Sequence, residues 1–131
     1  MDRLFLDANI LFSAAYGSRG LDNFWVEARK GKIRLLASAY VVEEATRNLS
    51  TQEQITRLKE LSNEIVVVSE ASPGIHCPVD IHEKDRPVLM AAVQSRATHL
   101  ITGDLRHFGP YRKKKVEGVI ICTAGDYLTG L

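Results

Sequence analysis

The sequence has little cysteine, no excess of charge of either sign and no long apolar segment. Its two cysteines, Cys77 and Cys122, cannot form a disulfide framework and fit a reducing cytosol. No apolar run approaches the about 18 residues needed to cross a bilayer, and the start lacks the basic-then-apolar profile of a secretory signal. We therefore expect a cytoplasmic protein that does not associate with membranes.

The charge balance also limits how the chain could bind nucleic acid. The net charge is only +1, although 25% of the residues are charged. A globally basic coat is therefore excluded, and binding to a phosphate backbone would have to depend on local basic patches.

Size and hydrophobic patterning predict the fold class. With 131 residues, 45% of them hydrophobic, the chain has the size of one compact domain, residues 1–131. Short apolar runs bounded by helical patterns predict a three-layer α/β/α sandwich around a central parallel sheet of about five strands. The predicted strands are residues 3–6, 33–37, 65–68, 99–102 and 119–122.

Other local signals place helix starts and a loop. Capping residues predict four helix starts, at Asp22, at Ser38, at Ser50 with Glu53, and at Thr123 with Asp126. Residues 69–84, which contain Pro73-Gly74 and Pro78, are the longest segment without a pattern and predict a mobile loop. Trp25 lies in the apolar stripe of a predicted helix, so we expect it to pack in the core rather than stack on a base.

Acidic residues follow two predicted strands and precede one predicted helix. Asp7 follows the first strand, Asp104 follows the run from His99 to Thr102, and Asp85 lies at the start of a helix whose first turn contains Pro87. The carboxyl ends of parallel strands converge on one edge of a sheet, so these acids should meet there. Clustered carboxylates repel unless a cation joins them, and their oxygens suit magnesium or manganese.

A further acid could come from the helix that Ser38 caps. Glu43 and Glu44 both lie about 120–140° from the middle of its apolar stripe, so periodicity does not choose between them. Asn9 and Thr102 lie beside the strand-end acids in sequence and could orient the carboxylates through hydrogen bonds.

Downstream of Asp104, residues 105–115 contain five cations and no acid: Arg106, Arg112, Lys113, Lys114 and Lys115. Such a run is usually a solvated face, but beside an acidic metal site it could bind phosphates. Within it, His107 is expected to pack rather than to donate to a phosphate. A zinc site from His76, Cys77 and His82 is not favoured, because the paired spacing of structural zinc sites is missing.

Four stretches together resemble the PIN domain, the fold of VapC-type toxin ribonucleases: LFLDANILFSA, SAYVVEEATRNL, EKDRPVLMAAV and THLITGDLRHF. Their order within the chain is that of the family. The resemblance places the third acid at Glu44, with Glu43 in reserve, so that Asp7, Glu44, Asp85 and Asp104 would hold one or two Mg²⁺ or Mn²⁺ ions. One local departure is Ala8, where many relatives carry threonine.

The resemblance implies a metal-dependent endoribonuclease that is the toxin of a toxin–antitoxin pair. Such proteins usually form homodimers and are silenced by an antitoxin peptide that lies over the active groove. RNA, a second copy of the chain and an antitoxin are therefore the expected partners.

Two other readings remain open. In a doubly wound phosphatase, an aspartate after the first strand is the nucleophile and a second aspartate usually follows two residues later, where this chain has Asn9. A PIN-like binding module without catalysis is the other alternative. Four retained carboxylates argue against it, because clustered like charges are costly to keep in an idle site.

Overall fold

The computed structural model describes residues 1–130, and its centre is a mostly parallel sheet. Among these residues six strands lie in the spatial order β3-β2-β1-β4-β6-β5, and only β5 runs antiparallel to its neighbour. The strands are β1 (Asp2–Leu6), β2 (Ile33–Ser38), β3 (Val66–Val68), β4 (His99–Ile101), β5 (Lys115–Val116) and β6 (Val119–Cys122). The predicted α/β fold with a central parallel sheet is confirmed.

Both faces of the sheet are covered. Leu4, Phe5 and Leu6 are consecutive in β1 and all have 0% exposure. Because successive side chains of a strand point to opposite faces, their burial requires a helical layer on each side. Leu100 and Ile101 of β4 are equally inaccessible, so the two central strands form the middle of the core.

Seven helices accompany the strands within the described part of the chain, six before β5 and one after β6. They are α1 (Ala8–Tyr16), α2 (Asp22–Arg29), α3 (Ala39–Asn48), α4 (Gln52–Ser62), α5 (Arg86–Gln94), α6 (Leu105–Phe108) and α7 (Ala124–Leu128), with short 3-10 turns at Arg19–Leu21 and Gly109–Tyr111. Trp25 of α2 is 1% exposed, and its indole nitrogen donates to the carbonyl of Leu61, so its predicted core position is confirmed.

Two of the predicted helix starts are confirmed. The Ser38 hydroxyl accepts from the backbone of Val41, and Thr123 and Asp126 form a reciprocal capping box at the start of α7. In both cases a short polar side chain satisfies backbone N–H groups that have no partner within the helix.

Two other predicted helix starts were wrong in detail. The capping box before α4 consists of Thr51 and Gln54, one residue later than the predicted pair Ser50 and Glu53. Asp22 is the first residue of α2 rather than its cap, because the preceding 3-10 turn already directs the chain into the helix.

The strand β5 is a feature that the sequence analysis missed, since its residues were assigned only to a basic run. It pairs with β6 through Val116 and Val119, which leaves a two-residue turn at Glu117 and Gly118. Both turn residues have positive φ, 48° and 87°, as a tight hairpin turn of type I′ requires. The basic run thus ends in a two-residue edge strand, in which Lys115 is exposed and Val116 is buried.

The order of the strands fixes where a ligand site can form. The chain places β2 and β3 on one side of β1, and then returns to place β4 and β6 on the other side. The boundary between β1 and β4 is therefore the point where the strand order reverses, and crevices at such points bind ligands in open α/β sheets.

Residues 69–85 form no helix or strand, in agreement with the loop predicted for residues 69–84. This segment leads directly into α5, whose N-cap is Asp85. Within residues 1–130, no helix has both the length and the apolar character that a membrane crossing requires.

Candidate metal centre

The carboxyl ends of β1 and β4 bring Asp7 and Asp104 to one edge of the sheet. Leu6 pairs with Ile101, and the backbone N–H of Asp7 donates to the carbonyl of Ile101 at 3.0 Å. Asp7 therefore follows β1 at the level where β4 ends, with Thr102 and Asp104 just beyond. This is the convergence that the parallel arrangement of the strands predicted.

Asp7 is buried and is held by three short hydrogen bonds. Its Oδ1 accepts from the backbone of Ala8 at 2.8 Å, while Oδ2 accepts from the hydroxyl of Thr102 at 2.8 Å and from the amide of Asn9 at 3.2 Å. Burial raises the pKa of Asp7, the bonds from Thr102 and Ala8 oppose that shift, and the nearby carboxylates of Asp85 and Glu44 add to it. The carboxylate is thus costly to ionise without a cation nearby.

Asn9 and Thr102 connect the two strand ends. The Thr102 hydroxyl, which donates to Asp7, also accepts from the backbone of Asp104 at 3.1 Å. The carbonyl oxygen of the Asn9 side chain accepts from the backbone of Gly103 at 2.7 Å. A Cβ at position 103 would lie 3.1 Å from that oxygen, so glycine permits this close approach.

Asp104 caps the short helix α6. Its Oδ1 accepts from the backbone N–H of His107 at 3.2 Å, which leaves Oδ2 to face the neighbouring side chains. Asp85 caps α5 by position only, because its side chain makes no capping hydrogen bond. Its carboxylate is therefore available to the site.

The four predicted acids line one cavity of about 490 Å³. Asp7 and Asp104 enter from the strand ends, Asp85 from the start of α5 and Glu44 from α3, and Phe12 of α1 contributes an aromatic wall. The other residues at its surface are Ala8, Asn9 and Asn48. Glu43 does not line the cavity and is exposed to solvent, so the geometry favours Glu44 of the pair.

A histidine that was expected to pack lies between two of these acids. The Nδ1 atom of His107 is 2.6 Å from Oδ2 of Asp85 and 2.9 Å from Oδ2 of Asp104. Burial raises the pKa of Asp85, and His107 partly offsets that rise. The His82 ring stacks on His107, with the ring centroids 4.5 Å apart and the planes 10° from parallel.

A local sequence signal could have indicated His107. An N-cap residue and the residue three positions later face each other across the first turn of a helix. Asp104 and His107 have this spacing. The approach of Asp85 and His82, in contrast, depends on the path of residues 69–85, for which no pattern was available.

The three residues of the zinc site that the sequence did not favour do not form one group. His76 and Cys77 line another cavity, of about 780 Å³, beneath residues 71–80, whereas His82 lies against His107. This cavity is the larger of the two, but none of the four acids reaches it. We therefore place the chemistry in the smaller cavity, where the carboxylates converge.

The basic run divides into free and paired side chains. Arg112 makes two hydrogen bonds, of 2.8 and 2.7 Å, to the buried carboxylate of Asp126, and it lowers the pKa of that group. Arg112 thus holds α7 in place, and the phosphate contact expected from the sequence stays a prediction. Nζ of Lys113 also lies 3.9 Å from Oδ1 of Asp126. The exposed cations of the run that have no ion pair among the described residues are Arg106 on α6, Lys114 and Lys115.

Comparison with known proteins identifies the family. The family model described as "PIN domain" matches residues 3–106, which is most of the chain and includes all four acids of the cavity. The chain belongs to the PIN domain family. A search of curated protein sequences found no match.

Among solved structures, this PIN domain is similar to a chain in the crystal structure of VapBC2 from Rickettsia felis bound to a DNA fragment from their promoter. The TM-score is 0.65 at 16% sequence identity, and the match covers 92% of this chain and 98% of that chain. At this identity the likeness concerns the fold.

The cavity of this PIN domain has the donors that a divalent ion needs. Hard ions such as Mg²⁺ and Mn²⁺ bind carboxylate oxygens, and four carboxylates face the same space. Oδ2 of Asp85 and Nδ1 of His107 are buried and have no hydrogen-bond partner of regular geometry, although they lie 2.6 Å apart. Buried polar atoms left in this way fit a site that is completed by a cation.

Proposed function

We propose that this PIN domain is a metal-dependent endoribonuclease, in which Asp7, Glu44, Asp85 and Asp104 hold one or two Mg²⁺ or Mn²⁺ ions. The observation that carries the proposal is the convergence of these four side chains, from four different elements, on one cavity at the switch point of the sheet. An ion held by these acids would lower the pKa of a bound water, so that it could act as the nucleophile at neutral pH, and would stabilise the leaving oxygen of a phosphodiester.

The protein's own groups hold the carboxylates in position. Thr102 and Asn9 both donate to Oδ2 of Asp7, and Thr102 also binds the backbone of Asp104. These bonds restrict how the strand-end acids can turn, which is the usual task of the residues behind metal ligands. No side chain of the chain needs to attack the phosphorus atom directly.

An RNA strand would be held through its phosphates by the exposed cations that follow Asp104 in the chain. Arg106 lies on α6, which begins at Asp104, and Lys113 and Lys114 follow the 3-10 turn after α6. Lys115 lies at the start of the edge strand β5. A local group of this kind can bind a phosphate backbone even though the whole chain carries a net charge of only +1.

We further propose that the protein is the toxin of a toxin–antitoxin pair, acts in the cytoplasm and forms a homodimer. The support for a protein partner is the similarity in fold to a chain of the VapBC2 structure, together with the membership of the PIN domain family. An antitoxin segment that enters the acidic cavity would compete with RNA for the same groups. Co-purification with the product of a neighbouring gene would test this part of the proposal.

The two alternative readings fit the geometry less well. A phosphatase with Asp7 as nucleophile needs a proton donor two residues later, but the side chain of Asn9 is already bound to Gly103 and Asp7. A binding module without catalysis would not use the acidic cavity. Burial of Asp7 near other carboxylates makes its ionisation unfavourable, so an unused cavity of this kind would lower stability without a benefit. Calorimetry with Mg²⁺ or Mn²⁺ separates the latter case, because an inactive scaffold should take up no ion through these acids.

The test is the pair of variants Asp7→Asn and Asp104→Asn. Each should lower Mg²⁺-dependent cleavage of a single-stranded RNA by more than about 100-fold, because a carboxylate ligand is lost while the size of the side chain is kept. Asp80→Asn is the matched control, since this acid is 99% exposed and lies outside the cavity. Circular dichroism should show the fold of all three variants intact. Wild-type cleavage rates in both site variants, in preparations free of contaminating nuclease, would refute the assignment.

A further inference from the structure

We infer that His107 is itself a metal ligand, and that it gives one position of the site a preference for a nitrogen-binding ion such as Mn²⁺ over Mg²⁺. The inference rests on the proposed function, since it concerns the metal at the same site. It adds to the four carboxylates a donor of a different chemical kind.

The distances around His107 carry the first part of the argument. Its Nδ1 lies 2.6 and 2.9 Å from the nearest oxygens of Asp85 and Asp104. Two ligands at right angles on an ion with bonds of about 2.1 Å lie about 3 Å apart. Each of the two pairs is therefore close to the spacing of neighbouring ligands on one octahedral ion.

The direction of these contacts carries the second part. Nδ1 of His107 and Oδ2 of Asp85 are both buried, and neither has a hydrogen-bond partner of regular geometry. The N–H bond or lone pair of an imidazole nitrogen lies in the plane of the ring. If it pointed at the oxygen, two atoms this close would form a direct hydrogen bond. Their approach without that alignment fits two donors that face a common third point.

His82 supports this arrangement without having to bind the ion. The rings of His82 and His107 are within 10° of parallel, so a single ion cannot lie in both ring planes, as bonding to both nitrogens would require. Nδ1 of His82 accepts from the backbone of Lys84 at 3.1 Å, which fixes its own ring. His82 is thus a positioning residue that holds the plane of His107 by stacking.

The nitrogen donor changes which ion the site prefers. Imidazole binds first-row transition ions well, whereas Mg²⁺ prefers oxygen ligands and gives up its water reluctantly. Potential ligand atoms of His82, Asp85 and His107 all lie within 4.8 Å of one another, so any ion at Asp85 is within reach of imidazole. The position between Asp85 and His107 should therefore select Mn²⁺.

Pulsed electron paramagnetic resonance of bound Mn²⁺ tests the assignment, because it detects nitrogen bonded to the ion without any need for turnover. The wild-type protein should show the coupling of a directly bound nitrogen, and His107→Phe, which keeps a ring against His82, should lose it. Calorimetry should show Mn²⁺ affinity at least about 10-fold lower in His107→Phe, with Mg²⁺ affinity changed less than about threefold. His76→Asn is the control, since His76 is exposed and lies elsewhere.

His82→Ala should keep the nitrogen coupling but weaken Mn²⁺ binding, as expected if this ring only orients His107. If His107→Phe does not fold, His107→Asn provides the same comparison. Bound Mn²⁺ without nitrogen coupling in the wild type would overturn the inference. Unchanged or tighter Mn²⁺ binding in His107→Phe would also overturn it, because His107 would then be only a counter-cation that competes with the metal. Nitrogen coupling in a protein that fails to cleave RNA would support the ligand and refute only the ribonuclease.

Discussion

Replacing Thr102 by valine should damage both the stability of this protein and its affinity for metal. Thr102 is 1% exposed, and its hydroxyl donates to Asp7 at 2.8 Å and accepts from the backbone of Asp104 at 3.1 Å. Valine keeps the shape of the side chain and removes both bonds. A single oxygen atom therefore supports both acids that follow the central strands.

The expected cost can be worked out from these contacts. A hydrogen bond to a charged group contributes about 1.5–3 kcal/mol, and the neutral bond from Asp104 about 1 kcal/mol, so Thr102→Val should destabilise the metal-free protein by about 2.5–4 kcal/mol. An unfolding entropy of about 2.1 cal/mol/K per residue gives about 0.28 kcal/mol/K for a chain of 131 residues. The melting temperature should therefore fall by about 9–15 °C.

Thr102→Ser is the matched control for this experiment. Serine keeps the hydroxyl and loses one buried methyl group, at a cost of about 1 kcal/mol. Calorimetry should show Mn²⁺ affinity about 10–100-fold lower in Thr102→Val, and changed less than about threefold in Thr102→Ser. Equal melting temperatures and equal metal affinities in the two variants would refute the orienting role of the hydroxyl.

Three further outcomes follow from the structure. Glu44→Gln should abolish Mg²⁺-dependent RNA cleavage while Glu43→Gln leaves it unchanged, and equal rates in a cleavage assay would contradict the choice between them. Lys114→Gln should weaken RNA binding and reduce the slope of log affinity against log salt by about 0.7. A fluorescence titration at several salt concentrations measures that slope, and an unchanged value would remove Lys114 from the interface. Because Arg112 lowers the pKa of Asp126, the pair stabilises the fold above the unfolded-state pKa of about 4, and this contribution is lost as the pH falls through the lower folded-state value. In acid denaturation, the free energy of unfolding of Asp126→Asn should fall less with decreasing pH than that of the wild type. A pH dependence parallel to that of the wild type would show that the pair does not contribute to it.

The strand-end acids were predictable from the sequence because they depend on a simple rule. Asp7 and Asp104 each follow a short apolar strand, and parallel strands present such residues at one edge. Asp85 was recognisable as a helix start beside Pro87. These positions depend on local pattern and sheet topology, which a sequence retains.

The choice between Glu43 and Glu44 is of a different kind. Both acids lie off the apolar stripe of α3, so the helical period leaves them nearly equivalent. The packing of α3 beside α1, which begins at Asp7, turns Glu44 toward the cavity and leaves Glu43 in solvent. That rotation is a tertiary property, and only the resemblance to a family pointed to it beforehand.

The basic run was the least predictable part of the candidate site. Its charge indicated a phosphate contact, but the partner of Arg112 is Asp126, 14 residues later, and the pairing depends on how α7 packs. Gly118 was the available sign of the hairpin, since glycine suits the positive φ of its second turn position. Basic residues that are close in sequence can therefore differ in role, since Arg112 pairs with Asp126 whereas Lys114 is left exposed.

The pairing of β1 with β4 means that the acids of the cavity come from distant parts of the chain. Asp7 is synthesised before Asp104, and the strands β2 and β3 are made between them. Until β4 inserts beside β1, the cavity has no second wall and Asp7 has no hydroxyl partner from Thr102. The four acids therefore converge on their shared cavity only after β4 has been made and has paired with β1.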